Sequence, residues 1–324
     1  MTVAIKMLGV GGPEVLVAVD VDVPDPGPGE VRIRHTTIGV NFVDVYHRTG
    51  LYRLPELPAV LGVEGAGVVE GVGSGVAAFH AGDRVAYAGT PPGGYAEVRN
   101  IPQTRLIPLP DDIPERLAGS TMLRGLAAHM ILRRVHPISE GQFVLVHSAA
   151  GGLGQLLTRW AKRLGAVVIG TVGSKGKIAI ARAAGADTVL LRDSFDWPEA
   201  VKELAGGKGV HLAYDGIGGE TLGRTFASVR PFGTVASMGQ AGGEIPPFRV
   251  EDLGPIRSIS LSRPSVIAYT NDPTSYRPAA DELISALRDG LVNPIGAEYP
   301  LREAARAHTD LEAGRTTGSV ILHD

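Results

Sequence analysis

The sequence predicts an α/β protein in which a doubly wound parallel sheet is joined to a β-rich domain. Three observations predict it. Residues 142–154 read as a strand, a glycine turn and a helix start, in that order. From there to about residue 239, apolar strand-like runs alternate with helix-like segments, which implies parallel pairing through right-handed crossovers. The first third of the chain is instead broken densely by glycine and proline, at Gly11-Gly-Pro13, Pro24 to Gly29, Gly71 to Gly75 and Pro91 to Gly94. That punctuation suits a β-rich domain with many tight turns.

Between those breaks, residues 31–33, 67–72 and 84–88 are strand-like, and helical patterning begins over 118–132. Residues 142–147 form a short apolar run. Leu156, Leu157, Trp160, Ala161 and Leu164 then follow at helical spacing and Gly165 closes the segment. Further strands are expected at 166–172, 187–191, 210–217 and 234–239, with helices at 177–184 and 220–229. After Pro264 the pattern changes to helices at 279–287 and 302–312 and a last strand at 319–322. The plan is a β-rich domain built from both chain ends, with a nucleotide-binding domain inserted between them. The expected boundaries are 1–123, 124–265 and 266–324.

Composition narrows the function. A chain of 324 residues suits two domains, and 44% hydrophobic with 20% charged residues supplies a sizeable core. The formal net charge of −3 gives no electrostatic case for nucleic acid or anionic membrane. There is no cysteine, which removes disulfides, thiolate metal sites and a cysteine nucleophile. No apolar stretch approaches the roughly 20 residues of a membrane span, and the N-terminus lacks a signal-peptide pattern. A cytoplasmic location is expected.

The glycine turn carries the first chemistry. Glycines let bare backbone approach a pyrophosphate, whose charge then faces the N–H groups at a helix start. Here Ala149 takes the first glycine position of G-x-G-x-x-G, and Gly151 and Gly154 take the others. With alternating strands and helices around it, the turn points to a dinucleotide-binding (Rossmann) domain. An NAD site usually places an acidic residue about 20 residues further on. The chain reads Thr171-Val-Gly-Ser-Lys-Gly-Lys177 there, without a carboxylate. Ser174, Lys175 and Lys177, with Arg192 past the third strand, are donors that suit a 2′-phosphate. The expected cofactor is NADPH, although each cation also reads as an ordinary solvated side chain.

The chain resembles the zinc-free quinone oxidoreductases of the medium-chain dehydrogenase/reductase superfamily, the group that includes zeta-crystallin. The resemblance runs over essentially the whole chain. It rests on Gly11-Gly-Pro-Glu-Val-Leu16, Gly39-Val-Asn-Phe-Val-Asp-Val-Tyr46, Arg48-Thr-Gly-Leu-Tyr52 and Leu61-Gly-Val-Glu-Gly-Ala-Gly67. Val72-Gly-Ser-Gly-Val76, Gly82-Asp-Arg-Val85, Ala149-Ala-Gly-Gly-Leu-Gly154, Tyr214-Asp-Gly-Ile-Gly218 and Arg263-Pro-Ser265 extend it. Zinc-dependent relatives carry a cysteine where this chain has Asn41-Phe42, and a histidine where Val63 precedes Glu64. The nine histidines show no metal-ligand spacing, so no metal is expected.

The resemblance implies a GroES-like catalytic domain that passes hydride from NADPH to a quinone or another conjugated acceptor. It places Asn41, Asp44, Tyr46 and Tyr52 around the acceptor. Asn41 also reaches the cofactor, with Gly151, Gly152 and Gly154 under the pyrophosphate and Ser174, Lys177 and Arg192 near the 2′-phosphate. Gly216, Gly239 and Arg263 complete the cofactor set. Arg192 stands where close bacterial relatives use tyrosine. Arg315 lies one place from a position where relatives carry arginine.

Several alternatives stay open at this stage. Asp44 reads equally as a brace for a turn, Tyr52 as loop packing, and Glu64 as a buried carboxylate paired with arginine or a backbone N–H. An enone or alkenal double-bond reductase uses the same hydride geometry. From another class, zeta-crystallin-like proteins bind single-stranded nucleic acid, against which the charge argues. The resemblance implies a homodimer, with 258–263 as the edge strand.

Overall fold

The computed structural model describes residues 1–194 and 196–324. The chain divides into two compact units, Met1–Leu126 with Val266–Asp324, and Ala127–Ser265.

The second unit is built on a six-stranded, wholly parallel sheet. Its spatial order is Thr188–Leu191, Val167–Val172, Phe143–Val146, Val210–Asp215, Val229–Ser237, Ser260–Ser262. Taken in chain order this is 3-2-1-4-5-6, the doubly wound arrangement. The order reverses between Phe143–Val146 and Val210–Asp215, where ligands of such sheets bind, beyond the strands' carboxyl ends. Helix Gly152–Arg163 packs against the first two strands and buries Leu156, Leu157, Trp160 and Ala161, the residues whose spacing predicted it. Its end falls at Gly165, whose φ of 80° favours glycine. Leu145, Ile169, Trp197, Val201, Ala213, Leu222 and Phe226 form one buried cluster there.

In the first unit, strand Glu30–Val40 is the spine. It pairs with Glu64–Val72, Val98–Pro102 and Ser319–His323 in a seven-stranded sheet. The closing strand therefore joins the sheet begun near the N-terminus, with Val320 opposite Val40 and Leu322 opposite Ile38. A second sheet holds Leu16–Val21, Thr2–Met7 and Ala59–Val60. Val3, Ile5, Ile38, Val40, Leu61, Tyr95 and Leu322 share a core.

Several expected bounds move. The strand expected at 31–33 runs from Glu30 to Val40. Its middle looks polar because His35 and Thr37 are buried while Arg34 and Thr36 face out, and bulges interrupt its pairing near both. The single helix expected over 118–132 is three pieces: Glu115–Gly119, Met122–His129 and a π-helical turn Met130–Val135. Ser120 ends the first by donating its hydroxyl to the Leu117 carbonyl (3.0 Å). The helix expected at 220–229 stops at Phe226, because Val229 pairs with Val210 and opens the next strand. The helix expected at 279–287 starts earlier, at Pro273, where the Asp272 carboxylate accepts the Thr274 N–H (3.1 Å).

Candidate active site

In the second unit the glycine turn starts from Ser148, whose φ is 51°, after the first strand. The Ala149 N–H donates to the Thr171 carbonyl (3.0 Å). Alanine at this position is accommodated because its neighbour on the next strand is Gly170, where a Cβ would stand 2.8 Å from the Ala149 Cβ. Gly151 is the N-cap, Gly152 the first helical residue, and a Cβ at Gly154 would collide with the Ser148 carbonyl oxygen. Turn and helix are therefore in tight contact, the role of the third glycine in a dinucleotide-binding fingerprint. This is the cradle a pyrophosphate requires.

At the end of the second strand, Ser174 is exposed and its carbonyl accepts the Lys177 N–H (3.1 Å). Arg192 is hydrogen-bonded through its backbone to Val172 (2.9 Å), and its guanidinium lies 3.3 Å from where a Gly173 Cβ would be. Its Nε meets Asp193 at 3.5 Å. Ser174 and Arg192, from separate loops, are thus brought to one strand end, with Lys177 one turn further. Beyond the fourth strand, the buried Asp215 accepts the Ile217 and Gly218 N–H groups (2.7 and 3.0 Å), which folds Gly216 into a tight turn. Burial raises the Asp215 pKa. Arg263 donates to Ser237 Oγ (2.9 Å) and the Gly239 carbonyl (3.4 Å). Gly216, Gly239 and Arg263 therefore gather at adjacent strand ends.

In the first unit the chemistry centres on a buried charge cluster. Glu64 is fully buried. Its Oε1 accepts the Leu123 N–H (2.8 Å), and its Oε2 accepts Asn41 Nδ2 (2.8 Å) and Arg124 Nη1 (3.1 Å). Arg124 also donates to the Val40 (2.6 Å) and Ser120 (3.2 Å) carbonyls. Burial pushes the Glu64 carboxyl upward, against the Arg124 charge and the donated hydrogen bonds. Gly39 leaves room for this carboxylate, since a Cβ there would overlap Glu64 Oε2. The Arg-paired structural reading of Glu64 is the one the geometry supports.

Asn41 caps helix Phe42–Arg48, and its N–H donates to Asp44 Oδ2 (2.8 Å). Asp44 is fully buried, and burial raises its pKa to about 7. Its carboxylate is placed to brace the helix start. Tyr46, on that helix, is buried and its ring meets Tyr52 edge-on at 5.2 Å, with Phe42 at 6.2 Å. Tyr52 is half exposed, and its N–H donates to the Tyr46 carbonyl (3.0 Å). The structure thus joins Asn41, Asp44, Tyr46 and Tyr52 through one seven-residue helix and the turn after it.

Sequence reasoning anticipated an arginine or a backbone N–H against Glu64, since a carboxylate inside a glycine-rich strand requires a cation or several donors, but it did not single out Arg124 or Leu123. It also missed the pair formed by Tyr95 Oη and His308 Nε2 (2.9 Å), which joins residues 213 positions apart. Arg315 is held by Asp310 (2.7 Å), which also accepts the Tyr299 hydroxyl (2.7 Å). Among the described residues no group of three or more His, Asp or Glu is arranged to hold a metal ion, and no helix is long and apolar enough to cross a membrane.

Comparison with known proteins agrees with both units. Residues 27–111 match the alcohol dehydrogenase GroES-like domain, and residues 152–285 the zinc-binding dehydrogenase family. A quinone oxidoreductase of Pseudomonas aeruginosa is 41% identical over 99% of each chain. The chain belongs to the quinone oxidoreductases of the medium-chain dehydrogenase/reductase superfamily. A 2-haloacrylate reductase of a Burkholderia species is 40% identical over 96% of each chain. The crystal structure of Escherichia coli quinone oxidoreductase complexed with NADPH superimposes with a TM-score of 0.95 at 38% identity, covering 99% of this chain and 100% of that one.

Proposed function

We propose that this protein reduces quinones with NADPH, without a metal: quinone, NADPH and a proton give hydroquinone and NADP⁺. The observation that carries the reading is the end of the second strand. Ser174, Lys177 and Arg192 replace the expected carboxylate there, in a chain about 40% identical to quinone oxidoreductases over its full length. Bound NADPH supplies the hydride. Gly151, Gly152 and Gly154 hold the pyrophosphate, Ser174, Lys177 and Arg192 the 2′-phosphate, and Gly216, Gly239 and Arg263 line the remaining cofactor site. Asn41 orients the nicotinamide or the acceptor through its amide. Tyr46 and Tyr52 offer aromatic faces to a planar acceptor and hydroxyls to the oxygen that gains charge. The proton comes from a tyrosine hydroxyl or from water. We retain 1–123, 124–265 and 266–324 as the functional division, and the cytoplasm, where NADPH is supplied, as the compartment.

A second reading, reduction of an activated carbon–carbon double bond, is favoured by the likeness to the 2-haloacrylate reductase. The deciding measurement is the loss of NADPH or NADH absorbance with 1,4-benzoquinone, a naphthoquinone, a simple enone and 2-chloroacrylate. Quinone-dependent oxidation with NADPH well ahead of NADH supports the proposal. Preference for the unsaturated acid or enone moves the protein to the second reading, and equal use of NADH removes the roles of Lys177 and Arg192. The zeta-crystallin-like alternative of single-stranded nucleic-acid binding is tested by filter binding at two salt concentrations, where a steep salt dependence supports it.

We further infer a homodimer. The edge strand Ser260–Ser262, with Phe232 and Ile256 86% and 93% exposed in the segments around it, supports that reading. The Phe232 N–H also donates to the Ser258 carbonyl (2.8 Å), which ties the two segments together. A monomeric sedimentation coefficient would count against it.

A further inference from the structure

The turn that carries Tyr52 is closed by His47. The His47 Nδ1 lies 2.9 Å from the Tyr52 carbonyl oxygen, and its ring meets the Tyr52 ring edge-on at 6.1 Å. A carbonyl only accepts, so Nδ1 bears the proton and fixes the tautomer. Three further bonds wind the same turn: Thr49 N–H to the Val45 carbonyl (2.8 Å), Gly50 N–H to the His47 carbonyl (3.1 Å) and Tyr52 N–H to the Tyr46 carbonyl (3.0 Å). Gly50 has a φ of 81°, which lets the chain reverse there. All of these are backbone bonds except that of His47, which adds a side-chain hydrogen bond to the ring contact that Tyr46 makes with Tyr52.

We propose that His47 is a positioning residue for the aromatic acceptor, holding Tyr52 edge-on to Tyr46 through its Nδ1–H. The inference rests on the quinone reading of the same site. Burial holds the imidazole below its ordinary pKa, so the ring is neutral at pH 7. The Nδ1–H is present in both the neutral and the charged ring, so the brace persists through the titration. Without it, Tyr52 keeps its N–H bond to the Tyr46 carbonyl and the contact of the two rings, but its own carbonyl is released and its ring loses the fixed orientation that a planar acceptor meets.

The test compares three variants with the wild type. His47→Asn keeps a donor at the Nδ1 position, His47→Gln moves it one atom outward, and His47→Leu removes it. The expected result is a KM for a naphthoquinone about fivefold higher in H47Q and H47L, the size of one aromatic contact. H47N should stay within about twofold of wild type, and kcat should change less than KM. The Kd for NADPH, read by fluorescence, should be the same in all four, and circular dichroism checks folding. If H47L does not fold, the contrast between H47N and H47Q carries the test. An H47N as impaired as H47L overturns the proposal, and so does a KM unchanged in every variant. A kcat that loses one limb of its pH profile in H47L also overturns it, because His47 would then be a proton donor. Failure of the wild type to oxidise NADPH with any quinone, while an enone is reduced, sinks the quinone reading instead. The KM comparison is then made with the enone.

Discussion

The two units prepare their chemistry with different materials. In Ala127–Ser265 the proposed cofactor cradle is mostly backbone: a turn at Ser148, N–H groups at the start of helix Gly152–Arg163, and glycines where a side chain would collide. In the other unit the same task falls to buried ionisable side chains, with Glu64 gathering Leu123, Asn41 and Arg124 and Asp44 bracing Asn41. Backbone cradles need only space and a fixed turn. Buried charges need every partner in place, because an unpaired one costs several kcal/mol. The first unit should therefore break by losing a charge or a proton, and the second by gaining an atom.

Acid is the largest perturbation. His35, His147 and His308 are buried, and burial lowers each pKa from 6.5 to about 3. In the folded protein they stay neutral between those values, while in the unfolded chain they bind protons below 6.5. Their contribution to stability is full above pH 6.5 and is lost progressively as pH falls toward 3. Asp44 opposes them, because its pKa is raised from 3.8 to about 7 and the folded state holds its proton through that window. Burial raises the Glu64 and Asp215 carboxyls in the same sense as Asp44, and it lowers His47, His136 and His211 in the same sense as the other three histidines, so six groups against three leave a net loss of stability on acidification. Melting temperature should fall steadily between pH 6.5 and pH 4. Asp44→Asn, which keeps an acceptor for the Asn41 N–H, should steepen that fall, and an unchanged slope would contradict the assignment of Asp44.

The second test breaks the charge cluster directly. Glu64→Leu strands the Arg124 guanidinium and should cost about 3–5 kcal/mol in denaturant unfolding. The double variant E64L/R124M removes both charges and should recover much of that loss. A single variant as stable as wild type would show that Glu64 is not held as an ion pair.

This contrast also explains how much of the molecule could be read from its sequence. The parallel sheet, its order of strands and helices, and the glycine turn were legible because they depend on local periodicity and on residues adjacent in the chain. Asn41, Tyr46 and Tyr52 were found through a motif, and the seven-residue helix explains why that motif is contiguous. Which arginine partners Glu64 was not legible, since Arg124 is 60 positions away. Nor was the pairing of Tyr95 with His308, because no spacing rule connects two strangers in the chain. Element bounds failed for a related reason: Ser120 and Val229 changed the pattern through a hydroxyl and a strand partner that periodicity does not see.

Adding a methyl group sharpens the comparison from the other side. At Gly154 the new Cβ meets the Ser148 carbonyl oxygen, a backbone atom with no freedom to retreat. Gly154→Ala should cost about 3 kcal/mol and weaken NADPH binding, since helix and turn must separate to admit it. The stability is read by thermal unfolding and the affinity by NADPH fluorescence. An alanine variant with both properties intact would remove the close-packing role of this glycine.

The smallest expected effect has the opposite sign and lies in the same unit. Gly223 is exposed within helix Gly219–Phe226, and a Cβ there would meet nothing within 4 Å. Gly223→Ala therefore adds helix propensity without a clash and should raise stability by about 1 kcal/mol. NADPH affinity should not move. If G223A were as damaging as G154A, glycine intolerance in this unit would reflect the helices in general, and the argument that the cradle is defined by one close approach at Ser148 would fail.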